Sequence, residues 1–344
     1  MNETHHICYD RILPKDLARP LPVRVLDTRD GEQARSVVPD IRKLWVNGST
    51  LRVRFLGGSA QDRALVREQA GWWTEHANLK FDFKDALDGD IRIAFDTGDG
   101  AWSYIGTDAT SIPQDQPTMN LGFLDGGTAA HEFGHAIGLG HEHQNPEGGI
   151  EWNEAVVIRD LGGPPNRWTP QQVRHNVLDK YQVNQFLHGS DFDPHSIMLY
   201  AFPGTWTKSG QGTKSNHVLS ETDKAFIAST EAYPRTKAEP AVLQVNGTPV
   251  EGAIGKAGEE DVYLFTVAAA SRHVIETSGH TDVVMKLFGP DSKTSMIAED
   301  DDSGAGFNPK IVKALAPGKY FIQIRHYNKE GGTGAYSIRV RKTG

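Results

Sequence analysis

Three histidines and a glutamate fall within the eleven residues from His131 to His141, and their spacing restricts how this part of the chain can fold. His131 and His135 are four residues apart, so on an α-helix their imidazoles project from one face and can share one tetrahedral metal ion. Gly138 lets the chain leave the helix in a backbone conformation that is costly for other residues, which brings His141 back as a third ligand. Three protein ligands leave one coordination position of a zinc ion open, so the pattern predicts a catalytic zinc site.

A second motif lies downstream, at Ser196–Tyr200, and contains a methionine, Met198. A methionine in an apolar run is ordinarily a flexible core residue. Here its order and its separation from the histidines match the metzincin signature, an extended histidine pattern followed by a Met-turn. With both motifs present, the chain resembles the astacin-like metzincin zinc peptidases. A chance histidine match on a surface helix is the weaker interpretation.

The resemblance implies roles for four further residues. Glu132 is the general base that takes a proton from the attacking water and passes it to the leaving amine. Met198 packs beneath the histidines, and Tyr200 assists at the oxyanion unless it is simply a buried tyrosine with a satisfied hydroxyl. Glu142 matches a family glutamate that pairs with a processed amino terminus, with a solvated acid as the alternative. The implied function is a zinc-dependent endopeptidase that acts on protein or peptide substrates.

The resemblance also covers an upstream segment that contains Trp102, Ser103 and Tyr104. This segment resembles the edge strand that binds peptide in this clan. An exposed edge offers unpaired N–H and C=O groups, so an extended substrate can add itself as another strand. We therefore predict that these residues contact the substrate backbone.

Cys8 is the only cysteine in the chain, so no intramolecular disulfide can form. Animal astacins hold their catalytic domain with disulfides, which favours a bacterial or fungal branch of the family. Some metzincin precursors place a propeptide thiolate on the zinc, and a soft sulfur ligand suits that metal. Cys8 is thus a candidate inhibitory thiol, and an ordinary thiol in the lead-in segment is the alternative.

The pattern of strands and helices predicts two domains. Alternation predicts strands at Leu51–Phe55, Leu79–Phe83 and Ile91–Phe95, and helical spacing predicts a helix at Gln61–His76. With the zinc helix these form a metzincin catalytic domain over residues 1–235, built on a twisted mixed sheet. Pro234–Pro240 is polar and proline-bounded, and residues 236–244 are predicted to be a linker.

Residues 245–344 contain short alternating segments separated by Gly, Pro and Asp turns, which predicts an all-β sandwich. Asp261–Tyr263 and Pro317–Tyr320 resemble segments of the prepeptidase C-terminal domain of secreted bacterial peptidases. The fold class is therefore α+β, followed by a β-sandwich. Asp300, Asp301 and Asp302 are hard oxygen donors that suit Ca²⁺, although a solvated acidic loop is the alternative.

Composition restricts the partners. The net charge of −8 lacks the basic footprint that a phosphate backbone needs, so nucleic acid is not expected. No apolar run approaches the roughly 20 residues that span a bilayer. The first residues lack the apolar core of a secretory signal, and the resemblance alone favours a secreted protein. Oligomeric state and cleavage preference stay open, as does a rival function in which an inactive metzincin scaffold binds a glycan or protein.

Overall fold

The computed structural model describes residues 9–11, 17, 43–84, 88–145, 148–164, 166–180, 192–229, 232–235, 240–256, 258–328 and 332–343. The chain divides into two compact units: the first comprises Met1–Trp45 and Leu51–Ala232, and the second comprises Val46–Thr50 and Tyr233–Gly344. The domain limits stated above stay a prediction. One difference concerns the linker, because its residues 241–242 form a strand that pairs in parallel with residues 263–264 of the second unit.

The first unit is built on a mixed sheet. Its strands are β1 (Tyr9–Asp10), β2 (Thr50–Phe55), β3 (Lys80–Asp82), β4 (Ile91–Ala94), β5 (Ala101–Ser103) and β6 (Met119–Leu121). The spatial order is β1-β5-β6-β4-β2-β3. β4 is parallel to both β2 and β6, whereas β5 is antiparallel to β6. This arrangement confirms the α+β class.

The helices of the first unit follow or cover this sheet. They are α1 (Ala60–Thr74), α2 (Thr128–Ala136), α3 (Glu154–Gly162), α4 (Pro170–Val173) and α5 (Glu221–Ile227). Short 3₁₀ turns span Gly106–Ser111, Glu142–Gln144 and Gly204–Trp206, and a π turn spans Arg174–Leu178. No helix in the described part of the chain is long and apolar enough to cross a membrane.

Helix α1 begins with a capping box, in which the Ser59 hydroxyl accepts the Asp62 N–H and the Asp62 carboxylate accepts the Ser59 N–H. The box satisfies two backbone donors that would otherwise lack partners in the first turn. The helix buries Val66, Gln69 and Trp73 and packs against α2. Gln69 is polar although it lies on this buried face, and it forms hydrogen bonds with the start of α2.

The second unit is a sandwich of two antiparallel sheets. Its strands are β7 (Ala241–Val242), β8 (Val250–Ile254), β9 (Glu260–Val267), β10 (Ser271–Ser278), β11 (Val283–Phe288), β12 (Met296–Asp300), β13 (Lys310–Leu315), β14 (Gly318–His326) and β15 (Gly334–Thr343). The sheets have the orders β13-β10-β15-β8 and β12-β11-β14-β9-β7, the short β7 being parallel to β9. Alternate residues such as Tyr320, Ile322 and Ile324 fill the core between the sheets. The predicted β-sandwich is confirmed.

Candidate metal centre

The three histidines of the motif converge. His135 Nε2 lies 3.1 Å from His131 Nε2 and 3.0 Å from His141 Nε2. A tetrahedral zinc ion with nitrogen ligands at about 2.0–2.1 Å needs nitrogens about 3.3 Å apart, so these donors fit a single zinc ion. Within the described ranges, this is the one group of at least three His, Cys, Asp or Glu side chains found suitable for a metal.

Local backbone geometry produces this convergence. Helix α2 carries His131 and His135 one turn apart and ends at Ala136. Gly138 then has φ of +105°, as the sequence predicted, and a Cβ there would also lie 2.9 Å from a side-chain carbon of Leu44. The turn at Gly138 allows His141 to approach the helix that it follows.

The Nδ1 nitrogens of two of the histidines form hydrogen bonds with backbone carbonyl oxygens. His131 Nδ1 lies 2.7 Å from the Ile197 oxygen, and His135 Nδ1 lies 2.8 Å from the Leu139 oxygen. A carbonyl only accepts, so Nδ1 carries the proton and donates, which leaves the lone pair of Nε2 for a metal. These bonds orient both rings before any metal binds.

Met198 lies against the helix that carries the histidines. Its side chain is fully buried, and a Cβ added to Gly134 would collide with its sulfur. The same Cβ would lie 3.1 Å from the Trp73 ring. The glycine between the two ligand histidines therefore makes room for Met198.

Glu132 and Tyr200 are the two residues predicted to be catalytic. Glu132 is fully buried on α2, directly after His131 and three residues before His135. The Tyr200 ring lies 4.2 Å from the His141 ring and 5.9 Å from the His131 ring, measured between centroids. His143 stacks on Tyr200 at 4.3 Å, so the tyrosine is held by aromatic neighbours. The Tyr200 ring thus lies beside the histidine group, and the catalytic roles of Glu132 and Tyr200 stay predictions.

A cavity of about 110 Å³ is lined in part by one of these histidines, His131. Its lining combines apolar and polar side chains, among them Phe123, Asp125, Thr128, His131, Leu199 and His217. His131 connects this cavity to the metal ligands, so a group bound there would lie next to the site.

The hydrogen bonds that hold α2 from outside were not predicted from the sequence. The Gln69 side chain donates to the Gly126 oxygen at 2.7 Å and accepts the Ala130 N–H at 3.1 Å. Trp73 Nε1 donates to the Ala130 oxygen at 2.7 Å. The available signal was a glutamine on the apolar face of α1, since a buried amide must find partners. Helix α1 thereby fixes the start of the zinc helix.

The expected exposed edge near Trp102, Ser103 and Tyr104 is covered. β1 pairs in parallel with β5, Tyr9 opposite Trp102 and Asp10 opposite Ser103. All three predicted residues are at most 6% exposed. The structure corrects the expectation of an exposed edge. The N–H and C=O groups on the side of β5 that faces away from β6 pair with β1, which belongs to the lead-in segment. Substrate binding by these residues stays a prediction.

Arg11 anchors this added strand. Its N–H donates to the Ser103 oxygen at 3.2 Å, and its guanidinium lies 3.9 Å from the centre of the Trp102 ring. The guanidinium also pairs with Asp99 at 3.2 Å. Leu17 adds apolar contact with the cluster around Trp102. Cys8, the candidate inhibitory thiol, lies outside the described residues.

Glu142 is not a solvated acid, since it is only 2% exposed. Its carboxylate accepts the Asp193 N–H at 2.9 Å and the Asn145 amide at 3.0 Å. Burial raises the pKa of Glu142 to about 7, and the two hydrogen bonds oppose that rise. The residue after the third histidine therefore belongs to the buried framework of the site.

The three aspartates predicted for calcium do not form a shared cluster in the described part of the chain. Asp300 uses one carboxylate oxygen to accept the N–H groups of Ser303 and Lys310, at 3.2 and 2.7 Å. Asp301 is buried, whereas Asp302 is partly exposed. Asp300 thus serves the turn, and calcium binding stays a prediction.

Comparisons with known proteins agree with this geometry. Residues 38–217 match the family model described as Astacin, a peptidase family. Residues 259–326 match the model of the bacterial pre-peptidase C-terminal domain. The solved structure of myroilysin is 38% identical, covers 57% of this chain and 98% of its own, and superposes with a TM-score of 0.53.

Curated relatives match over shorter parts. Astacin-like metalloprotease toxin 5 of Loxosceles gaucho is 28% identical over 159 residues, which are 46% of this chain and 77% of the toxin. Protein SpAN of Strongylocentrotus purpuratus is 26% identical over 143 residues, 40% of this chain and 23% of that protein. The match to zinc metalloproteinase nas-30 of Caenorhabditis elegans spans 34% of this chain and 15% of that protein. The chain thus spans less than a quarter of each of these last two relatives.

Proposed function

Because the chain belongs to the astacin family of peptidases, we propose that it hydrolyses peptide bonds as a zinc-dependent endopeptidase. The convergence of three imidazole nitrogens carries this proposal. The Nε2 atoms of His131 and His135 are available to a metal, because the opposite nitrogen of each ring is held by a backbone carbonyl. His131, His135 and His141 would hold the zinc.

The remaining residues of the site supply the proton chemistry. A zinc ion, when bound, supplies Lewis acidity toward water and toward the scissile carbonyl. Glu132 then takes the proton of the attacking water and delivers it to the leaving amine. Tyr200 is the candidate hydrogen-bond donor to the oxyanion, since its ring lies beside His141.

Substrate would bind along β5 with one side chain in the cavity that His131 lines. β5 can pair with a peptide through backbone groups only after β1 has left it. The cavity of about 110 Å³ next to His131 is the place for a substrate side chain. Trp102, Ser103 and Tyr104 remain the proposed contacts on the strand.

We further propose that Cys8 and the lead-in segment restrain the enzyme. The support is the position of the residues that directly follow Cys8, which are paired with β5. A comparison of Cys8→Ser with the parent tests the thiol. A rise in peptidase activity is expected, and no rise removes the thiol from the proposal.

Incubation with casein and a mixed peptide library, with and without a zinc chelator, tests the function. Cleavage that the chelator abolishes and added zinc restores is the expected result. The rival, an inactive scaffold that binds a glycan or protein, predicts no cleavage even after the lead-in segment is removed. Absence of cleavage by that truncated form would reject the proposed function.

We also propose an extracellular location and an accessory role for the sandwich unit. The support is the resemblance to secreted peptidases, together with relatives that are described as toxins. Measuring the protein in medium and cell fractions of the producing organism tests the location. Retention in the cell fraction alone would contradict it.

A further inference from the structure

We propose that Asp223 is a positioning residue that acts on the His131 ligand through a chain of hydrogen bonds. The chain runs from the Asp223 carboxylate through the Ser196 hydroxyl to the peptide unit between Ile197 and Met198, and from there to the imidazole. The inference rests on the proposed zinc site and names a residue that supports it from a distant helix.

Asp223 binds the Met-turn at two points. One carboxylate oxygen accepts the Ser196 hydroxyl at 2.7 Å, and the other accepts the Ile197 N–H at 2.8 Å. The second oxygen also accepts the Ser220 N–H at 2.9 Å, which completes the capping box of α5. Asp223 is only 1% exposed, so water does not compete for these bonds. One carboxylate therefore begins α5 and holds the Met-turn.

The Ser196 hydroxyl passes this contact to the next peptide unit. Its oxygen accepts the Met198 N–H at 3.1 Å while its hydrogen is directed to Asp223. The carbonyl of the same peptide unit, on Ile197, accepts the His131 Nδ1–H at 2.7 Å. A single planar peptide group thus joins Ser196 to the ligand.

Every donor in this chain points toward the carboxylate. Hydrogen bonds aligned in this way polarise one another, and the final acceptor here carries a negative charge. The Ile197 carbonyl becomes a stronger acceptor, which makes Nε2 of His131 a more basic ligand and holds the ring in one orientation. The effect is that of a carboxylate–histidine–metal arrangement in which a serine and a peptide group stand between carboxylate and histidine.

The protein contains a second serine–aspartate capping box, which provides matched controls for substitutions of Ser196 and Asp223. Ser59 and Asp62 form the same capping box at the start of α1, but Asp62 contacts no Met-turn and both bonds are exposed. Ser59→Ala and Asp62→Asn therefore remove a helix cap alone. Ser196→Ala breaks the hydrogen-bond chain between Asp223 and His131 and leaves the cap of α5 in place. Asp223→Asn keeps the shape of the Asp223 side chain and removes its negative charge.

The test measures zinc affinity by competition with a chelator of known affinity and, separately, the visible spectrum of the Co²⁺-substituted protein. Loss of an outer partner of a metal ligand typically weakens metal binding by about 10- to 100-fold. We expect Ser196→Ala and Asp223→Asn to lose about tenfold in zinc affinity and to shift the cobalt absorption bands. The two controls should match the parent in both measurements.

Zinc affinity and cobalt spectra of Ser196→Ala and Asp223→Asn that equal those of the two controls would overturn the proposal. Circular dichroism shows whether each variant folds, and Ser196→Ala decides the matter if Asp223→Asn does not fold. Neither measurement uses peptide hydrolysis. A protein that binds zinc but cleaves no peptide even after removal of the lead-in segment would refute the proposed function, and the zinc affinities and cobalt spectra would still decide this inference.

Discussion

At the scale of single residues, the proposed mechanism assigns metal binding and proton transfer to different side chains. The three histidine nitrogens converge on one point, whereas Glu132 lies on the same helix without belonging to that group. All four side chains are buried to at least nine-tenths. Substitution of a ligand and substitution of the base should therefore have different effects.

Glu132→Gln should keep the zinc and lose turnover. The amide has the shape of the carboxylate but cannot accept the proton of the attacking water, and general base catalysis contributes about 10²- to 10⁴-fold. Metal content and casein hydrolysis of the same preparation measure both quantities. Full activity in this variant would remove Glu132 from the mechanism.

His131→Ala should lose the metal itself. Two imidazoles remain, which is one ligand fewer than a catalytic zinc site ordinarily has. His195→Ala is the control, because His195 is exposed and lies two residues before Ile197. Metal analysis after dialysis should find zinc in His195→Ala and not in His131→Ala. Equal zinc content in both variants would contradict the assignment of His131.

The ligands were predictable from the sequence because helical geometry relates residues four apart. The partners of the ligands were not. Ser196 and Asp223 are 27 residues apart, and His131 and Ile197 are 66 apart. Such contacts depend on the tertiary fold, which local spacing does not determine. The burial of Glu142 was missed for the same reason.

At the scale of elements, the order of strands and helices was largely predictable, and some of the short strands were not. β2, β3 and β4 lie within the predicted segments except for Thr50, one residue before the first. β1 spans two residues, too few for an alternating pattern to show. β6 was not predicted either, whereas the equally short β3 was found because it lies inside the alternating segment Leu79–Phe83. β1 is the strand that changes the functional picture, because it covers β5.

Gly134→Ala should destabilise the first unit. The added methyl group would collide with Met198 and press on Trp73, and overpacking of a core typically costs about 1–3 kcal/mol. Gly71→Ala is the control, since a Cβ at this position in α1 meets nothing within 4 Å. That substitution should stabilise the protein by about 0.5–1 kcal/mol. Urea unfolding measures both; equal free energies of unfolding would refute the close packing at Gly134.

Arg11→Ala should make β5 easier for a peptide to reach. The variant loses the cation–π contact with Trp102 and the ion pair with Asp99, each worth about 0.5–1 kcal/mol or less at partly exposed sites. We expect KM for peptides to fall by up to about tenfold with little change in kcat. Arg67→Ala is the control, because Arg67 lies over the Phe55 ring far from β5 in the sheet order. An unchanged KM in Arg11→Ala would show that β1 does not compete with substrate.

At the scale of the whole molecule, the chain has separate cores. One apolar cluster of the first unit includes Trp152, Tyr200 and Trp206, while the sandwich has its own cluster around Phe265, Ile322 and Ile338. The composition of the chain and its pattern of alternating segments separated by turns predicted two units. The proposed zinc ligands all belong to the first unit, and the candidate calcium aspartates belong to the second.

Removal of zinc should therefore lower the unfolding temperature of the first unit alone. A ligand that binds only the folded state stabilises it by about 4 kcal/mol at a thousand times its Kd, which corresponds to on the order of 10 °C for a unit of this size. Scanning calorimetry with and without a zinc chelator measures the shift. His131→Ala should show the lower temperature without chelator and no response to it, which identifies the transition. A chelator that strips calcium and spares zinc should move only the other transition if Asp300, Asp301 and Asp302 bind calcium. A zinc chelator that leaves every transition unchanged would contradict a zinc ion held by the three histidines.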